Sequence, residues 1–359
     1  MAPAPDAIAA VSQRLDNFLR IQRDHAVPLG PEAGLITAAG AASVAGGKRL
    51  RARFLLAGWQ SVTGSPPSTA AIAAAAALEL FHAAALVHDD VIDNSDTRRG
   101  KPAAHRALEA HHRDAEWEGD AESFGRAAAV LLGDLLVAWS DDLFEDGLVE
   151  ASVDAASAAR AEYATMRREV TIGQFLDIAE ESAFRTEPDD RHAERALRVA
   201  SLKSARYSVQ QPLLIGAALG GADAGQRDAL SAFGHPLGMA YQLRDDVLGV
   251  FGDEAVTGKP SGDDLREGKR TVLVAYAREE MPTGTRRVFD ELLGDPGLDA
   301  EQIASLQETI IQTGALDRVE VLIADYAREA DRALSGARLD NAAVGDLRDL
   351  ARASTVRVA

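Results

Sequence analysis

A long helical segment is the feature that most constrains this chain. No glycine or proline occurs between Thr69 and Asp93, and alanine and leucine dominate the segment. Both residue types favour helix, so the pattern predicts one continuous helix about 38 Å long at 1.5 Å per residue. A helix of that length crosses a whole domain. The other elements of the chain therefore have to pack around it.

Two acidic residues share one face at the end of this predicted helix. Asp89 and Asp93 are four residues apart, and Arg98 and Arg99 follow in a turn that contains glycine and proline. Residues four apart on a helix project to the same side. Carboxylate oxygens are suitable ligands for Mg²⁺, and guanidinium groups bind phosphate through paired hydrogen bonds. The stretch predicts a site for a diphosphate held through metal.

A second acidic pair repeats this arrangement. Asp245 and Asp246 follow an apolar helical run and precede the basic loop TGKPSGDDLREGK. One acidic pair at a helix end is as easily an exposed turn as a ligand site. Two pairs, each followed by basic residues, favour two walls of one binding site.

The composition predicts an all-α protein. Alanine-rich apolar runs recur along the 359 residues, and stretches that alternate with a period of two are scarce. No linker rich in proline, serine or glycine separates the acidic motifs, so residues 1–359 are predicted to form a single domain. Residues 1–25 carry a weak amphipathic pattern that predicts a peripheral N-terminal helix.

Charge and cysteine content exclude several classes of function. The net charge of −18 argues against binding to nucleic acid and against docking on anionic lipid. The chain has no cysteine, which excludes disulfides and thiolate metal ligands and fits a cytoplasmic location. We find no signal-peptide pattern and no long apolar run without a polar break, so no integral membrane segment is expected.

The motifs and their order resemble those of trans-type isoprenyl diphosphate synthases of the polyprenyl synthetase family, most closely the bacterial geranylgeranyl diphosphate synthases. They are GGKRLR (46–51), HDDVID followed by RRGKP (88–102), GQFLDI (173–178), LKSARYS (202–208), YQLRDDVLGVFGD (241–253) and TGKPSGDDLREGK (257–269). The resemblance implies an isoprenoid synthase helical bundle around a deep central cavity. It also implies a homodimer, small isoprenoid diphosphates as substrates, and about three Mg²⁺ per active site.

The resemblance assigns roles to individual residues. The metal ligands are Asp89, Asp93 and Asp245, with Asp246 in support and Asp177 acting through metal-bound water. The allylic diphosphate is assigned to Arg98, Lys203, Lys259 and Lys269, with Gln174, Ser204 and Gln242 beside it. Isopentenyl diphosphate is assigned to Lys48, Arg51, His82 and Arg99. The catalytic set is Asp89, Asp93, Asp245, Lys203 and Lys259.

One position departs from the pattern of many relatives. Their second motif has a carboxylate at its fifth position, where this chain has Gly249. The identity of the group that replaces this carboxylate is left open by the sequence.

The product length depends on residues before the first aspartate. In the family, bulky side chains four and five residues before it shorten the product, and here both are alanine, Ala85 and Ala84. Helical geometry places Ala85 on the cavity face and Ala84 about 140° away from Asp89. Phe81, one turn below Ala85, is the next large side chain and would favour a C20 product, geranylgeranyl diphosphate. Products of C15 or of C25 and longer remain open, as does a floor supplied by another helix.

Three other functions are considered. A class I terpene cyclase shares the fold, but its second motif needs a hydroxyl ligand where Gly249 stands. A phosphohydrolase of the HD type needs further histidines on neighbouring helices. Apart from His82 and His88, the histidines of this chain are expected in loop or terminal settings: His25, His105, His111, His112, His192 and His235. A non-catalytic synthase subunit would have no need for both acidic motifs.

Overall fold

The computed structural model describes residues 5–252 and 261–355, which are almost entirely helical. The helices are α1 (Pro5–Ala26), α2 (Pro31–Val44), α3 (Leu50–Thr63), α4 (Thr69–Ile92), α5 (Ala104–Asp114), α6 (Ala121–Leu148), α7 (Val153–Ala183), α8 (His192–Val199), α9 (Gln211–Leu219), α10 (Ala224–Phe251), α11 (Asp263–Glu267), α12 (Val272–Glu280), α13 (Thr283–Leu292), α14 (Ala300–Gln312), α15 (Ala315–Ala333) and α16 (Asn341–Thr355). A π-helical segment, Ala200–Gln210, joins α8 to α9. Short 3₁₀ turns cover Val27–Leu29, Phe184–Thr186 and Asp189–Arg191, and strands β1 (Thr97–Arg98) and β2 (Lys101–Pro102) form a hairpin. The prediction of an all-α fold is confirmed.

Helix α4 is the predicted long helix, and most of it lies in the core. Ser68 begins it, because its Oγ accepts a hydrogen bond from the Ala71 N–H at 3.2 Å. Helix α6 packs closely along it, since a Cβ at Gly147 would lie only 2.6 Å from the Ala73 Cβ. By length and apolar composition α4 could cross a bilayer, but 78% of its most apolar window is buried inside the protein. That burial is typical of a core helix.

The N-terminal helix α1 packs against α4. Its residues Val11, Leu15 and Phe18 are buried in the same core cluster. The amphipathic pattern in this part of the sequence thus corresponds to a helix whose apolar face contacts the bundle.

Two glycines hold the π-helical segment close to its neighbours. A Cβ at Gly173 of α7 would lie 2.5 Å from the Lys203 backbone nitrogen, and one at Gly238 of α10 would lie 2.5 Å from the Ala205 carbonyl oxygen. Neither position could carry a side chain without movement of the backbone. The close contacts fix the segment that carries Lys203 and Ser204 between α7 and α10, and π-helical segments often occur at functional sites.

Candidate active site

Both acidic pairs line one cavity of about 630 Å³. Asp89 and Asp93 approach it from α4, and Asp245 and Asp246 from α10. The other predicted site residues in the lining are Lys48, Arg51, His82, Arg98, Gln174, Asp177, Lys203, Ser204, Gln242 and Lys269. Arg99 is not in the lining, and Lys259 lies outside the described residues. Segments far apart in sequence therefore converge as two walls of one site.

Asp89 is surrounded by donors from three elements. Gln174 Nε2 donates to its Oδ1 at 3.1 Å, Lys203 Nζ lies 3.6 Å from the same oxygen, and Arg98 Nη2 lies 3.6 Å from Oδ2. Lys203 also pairs with Asp177. Burial disfavours the charged lysine, but Asp177 and Asp89 outweigh it and raise the pKa of Lys203. This lysine is therefore positively charged beside the first acidic motif.

Asp90 is a site residue that the sequence analysis missed. Its side chain is buried, and it accepts hydrogen bonds from both Nε and Nη2 of Arg98, the first at 2.9 Å. The middle aspartate of the first motif is thus buried outside the cavity lining, where it fixes the arginine that follows it. The sequence did contain a signal for this role: Asp90 lies about 100° round the helix from Asp89, so the two side chains point in different directions.

Arg99 occupies a strained backbone conformation near the GGKRLR loop. It has φ +53°, and Gly100 follows with φ +72°, as the two-residue hairpin turn between β1 and β2 requires. Left-handed φ is unfavourable for a residue with a side chain. The guanidinium reaches the loop, because Nη1 donates to the Ala45 carbonyl at 3.0 Å and Nη2 would lie 3.0 Å from a Cβ at Gly47. Such strain commonly persists where function requires the position.

The cations around this loop repel one another. Burial together with neighbouring Arg49 and Arg98 lowers the pKa of Arg99. The buried Glu79 offsets part of this charge, since it accepts a bond from Arg49 Nη1 at 3.2 Å and one from the Ala52 N–H. An anion bound between the arginines would relieve the remaining repulsion.

Arg51 and His82 meet at Tyr207. The Arg51 guanidinium lies 4.2 Å from the centre of the tyrosine ring and donates to Ser208 Oγ at 2.8 Å. The Tyr207 hydroxyl lies 3.4 Å from His82 Nδ1. Burial and the nearby Arg51 and Arg99 hold the pKa of His82 well below its ordinary value. The imidazole is therefore neutral at pH 7 and acts as a polar contact without a charge of its own.

The wall below the first acidic motif is apolar. Ala85 and Leu86 line the cavity, whereas Ala84 is buried in the core, as the helical phase indicated. Phe81 does not reach the lining; it packs edge-on against Tyr207 and Tyr163, with ring centres 5.9 and 6.4 Å away. Tyr207 does line the cavity, so Phe81 contacts a lining residue and is not itself part of the lining.

The carboxylates of the two walls are hard to ionise together. Burial and repulsion from Asp89 raise the pKa of Asp93 to about 6. Burial raises the pKa of Asp246 to about 8, helped by repulsion from Asp264 and Asp245 and opposed by a hydrogen bond from Gln242 Nε2 at 2.6 Å. The cavity thus holds carboxylates whose ionisation bound cations would favour.

Comparison with known proteins identifies the family. The polyprenyl synthetase family profile matches residues 34–310. The chain belongs to this family. It is a trans-prenyltransferase that acts on isoprenoid diphosphates, and the family predicted from the motifs is confirmed.

Several relatives are similar over most of their length. A geranylfarnesyl diphosphate synthase of Aeropyrum pernix is 32% identical over 81% of this chain and 84% of its own. A geranylgeranyl diphosphate synthase of Mycobacterium tuberculosis is 31% identical over 82% of this chain and 79% of its own. The crystal structure of a geranylgeranyl pyrophosphate synthase from Corynebacterium glutamicum, complexed with isoprenyl diphosphate and magnesium, has a TM-score of 0.90 at 38% identity and covers 97% of this chain and 98% of that one. The predicted isoprenyl synthase bundle is therefore confirmed.

The donor set of this prenyltransferase fits magnesium. All of the acidic ligands are carboxylates, the oxygen donors that Mg²⁺ prefers. In residues 5–252 and 261–355, no three acidic or histidine side chains already converge as a complete metal site. Mg²⁺ is commonly held by one or two carboxylates together with substrate phosphate. The two acidic pairs therefore fit Mg²⁺ ions that bind together with the diphosphate of a substrate.

The raised pKa of Asp246 predicts a stability that falls with pH when no metal is present. Between the ordinary value of 3.8 and about 8, the folded protein retains a proton that the unfolded chain has lost. The free energy of unfolding therefore decreases as pH rises through this interval. We expect Asp246→Asn to unfold at least about 2 °C above the wild type at pH 8.5 and to lose less stability between pH 6 and 8.5, measured by thermal unfolding with EDTA. If the melting temperatures of the two proteins changed equally with pH, the result would contradict a raised pKa for Asp246.

Proposed function

We propose that this enzyme condenses isopentenyl diphosphate with an allylic diphosphate in a Mg²⁺-dependent reaction and that its main product is geranylgeranyl diphosphate. The observation that carries the proposal is the single cavity in which two acidic walls face a group of cations and lead to an apolar pocket. The acidic walls can bind, through metal, the diphosphate that the allylic substrate loses. The arginines near the GGKRLR loop can bind the diphosphate of the second substrate, which is retained in the product.

The allylic diphosphate is assigned to the space between the walls. Asp89, Asp93 and Asp245 would hold about three Mg²⁺ on it, as the family implies. When bound, magnesium neutralises the diphosphate and so lowers the barrier to its departure. Lys203 and Arg98 add positive charge at the same end, and Asp177 supports Lys203 through their ion pair. Because these cations are already fixed, they stabilise the charge that develops on the leaving group without reorganisation.

Isopentenyl diphosphate is assigned to Lys48, Arg51, Arg99 and His82. The repulsion among the arginines supports this assignment, because it is relieved by a second anion. The neutral His82 can contact that anion without competing for the proton that the reaction releases.

The reaction then needs no strong protein base. The C–O bond of the allylic substrate breaks, and its C1 bonds to C4, the terminal alkene carbon of isopentenyl diphosphate, which leaves a tertiary cation at C3. A proton then leaves C2 for the released diphosphate, and the new double bond forms between C2 and C3. Ala85, Leu86 and Val170 line the apolar part of the cavity. Their side chains exclude water from the allylic cation, which water would otherwise quench.

A terpene cyclase is the second candidate because it also ionises an allylic diphosphate. It has no use for a second diphosphate site, whereas the strained Arg99 and the buried Glu79–Arg49 pair hold cations beside the cavity. Supplying isopentenyl diphosphate separates the two functions, because only a prenyltransferase consumes it.

Removal of either carboxylate of the first wall tests the function. We expect Asp89→Ala and Asp93→Ala to lower turnover of labelled isopentenyl diphosphate by at least about a hundredfold, because the leaving diphosphate loses a metal contact. Thermal unfolding should show that the fold persists. Activity within about tenfold of the wild type, or about 1.4 kcal/mol in the barrier, would contradict the assignment.

The product length follows from the apolar wall. The small side chain of Ala85 leaves room for the hydrocarbon tail beside α4. Tyr207, which packs against Phe81, is proposed to limit the depth of the apolar pocket. We expect Ala85→Phe to shift the product to C15 or shorter, because the ring fills the pocket at the level of Ala85. Phe81→Ala removes support from Tyr207 and should lengthen the product. Chromatography of the dephosphorylated products measures both, and unchanged distributions in two active variants would place the length-determining residues elsewhere.

We also propose a homodimer formed through α6 and α7. Exposed apolar side chains lie on one face of α7, where Phe175 is 67% exposed and Ile172 and Ile178 flank it, and Val130 and Leu131 are exposed on α6. Apolar patches of this kind mark protein interfaces. We assign this surface to a second copy of the chain, because the family resemblance implies a homodimer. The lack of cysteine supports a cytoplasmic location for the enzyme.

Charge substitution tests this interface. We expect Phe175→Glu to convert the dimer to a monomer of 38.0 kDa in light scattering at micromolar concentration. Val321→Glu is the matched control, because Val321 is 60% exposed on α15, outside the proposed interface. Equal masses for Phe175→Glu and the wild type would exclude this surface as the dimer interface.

A further inference from the structure

We propose that Asp264 supplies the carboxylate that the second acidic motif lacks at Gly249, so that the second wall holds Mg²⁺ through Asp245 and Asp264. The inference rests on the proposed prenyltransferase function. It adds a ligand, bound directly or through a metal-bound water, from a different element of the chain.

The side chain of Asp264 fills the space beside Gly249 that a side chain at position 249 would need. A Cβ built on Gly249 would lie 2.0 Å from Asp264 Oδ2 and 2.4 Å from its Cγ. Any side chain at position 249 would therefore displace the Asp264 carboxylate. The carboxylate stands where the side chain of a fifth-position aspartate would begin.

The backbone does not explain the glycine. Gly249 lies inside α10, and it is not among the glycines with positive φ in the described residues. Glycine within a helix is unfavourable by about 1 kcal/mol relative to alanine. The close approach of Asp264 is the feature of the structure that accounts for glycine at this position.

Asp264 is also held in place and faces the cavity. It lies on α11, is buried, and lines the same cavity as Asp245 and Asp246. Lys269 Nζ donates to its Oδ1 at 2.9 Å, and the Lys269 backbone N–H donates to its carbonyl oxygen at 3.1 Å. A surface aspartate would have no such fixed orientation.

The charge near Asp264 favours a cation. Lys269 is shared between Asp264 and Glu267, whose Oε2 lies 2.6 Å from its Nζ. Asp264 and Glu267 thus approach the same ammonium group within 2.9 Å. Carboxylates that lie close together are stabilised by cations between them, and a divalent ion at this wall would supply two positive charges.

Metal binding can be measured apart from turnover. Mn²⁺ replaces Mg²⁺, and electron paramagnetic resonance counts the free ion in the presence of geranyl S-thiolodiphosphate, which ionises poorly. We expect Asp264→Asn to bind one Mn²⁺ fewer per subunit, or to bind one Mn²⁺ at least about tenfold more weakly, the range measured when groups around a metal are removed. Gly249→Ala should give the same defect by displacing the carboxylate.

Gly345→Ala is the control for the glycine substitution. Gly345 also lies within a helix, and a Cβ there would meet no atom within 4 Å, so this variant should bind Mn²⁺ like the wild type. Wild-type binding by folded Asp264→Asn or folded Gly249→Ala would overturn the inference. If those variants bound Mn²⁺ like the wild type while Asp89→Ala lost Mn²⁺, this inference would fail and the proposed function would stand. Failure of the wild type to bind Mn²⁺ with the analogue would overturn the proposed function as well.

Discussion

The rest of the structure depends on carboxylates that are held close together on the two walls of one cavity. Burial disfavours ionisation of these groups, and repulsion between neighbouring carboxylates disfavours it further, as the raised pKa values of Asp93 and Asp246 reflect. The folded state must accommodate these carboxylates, and bound cations would neutralise the charge that Arg98, Lys203 and Lys269 leave uncompensated. The same repulsion favours binding of metal together with substrate.

Close helix packing is what keeps the walls in place against this repulsion. Gly58 of α3 and Gly216 of α9 form a reciprocal contact, because a Cβ at either would lie about 2 Å from a carbonyl oxygen of the other helix. Gly173 and Gly238 hold the π-helical segment in the same way. Cavity-lining side chains are thus carried by helices whose backbones touch, and such a scaffold can fix charged groups more accurately than loops could.

The sequence predicted features that depend on local spacing. The extent of α4, the shared face of Asp89 and Asp93, and the different directions of Ala84 and Ala85 all follow from helical geometry, which is local. The Asp90–Arg98 pair and the contact between Gly249 and Asp264 depend on how distant or turning segments meet, so spacing alone did not reveal them. The π-helical geometry around Lys203 was also missed, because it arises from packing between α7 and α10 and has no separate signal in the sequence.

Tyr207 contacts both Arg51, which is proposed to bind isopentenyl diphosphate, and Phe81, which is proposed to affect product length. Its ring carries the Arg51 guanidinium at 4.2 Å, while Phe81 packs against the same ring at a centre distance of 5.9 Å. The hydroxyl group is directed to His82, so three contacts restrain one side chain. A change that lets the ring move to admit a longer tail must also move the surface on which Arg51 lies. Under the proposed function, product length and affinity for isopentenyl diphosphate would therefore be coupled through a single aromatic ring.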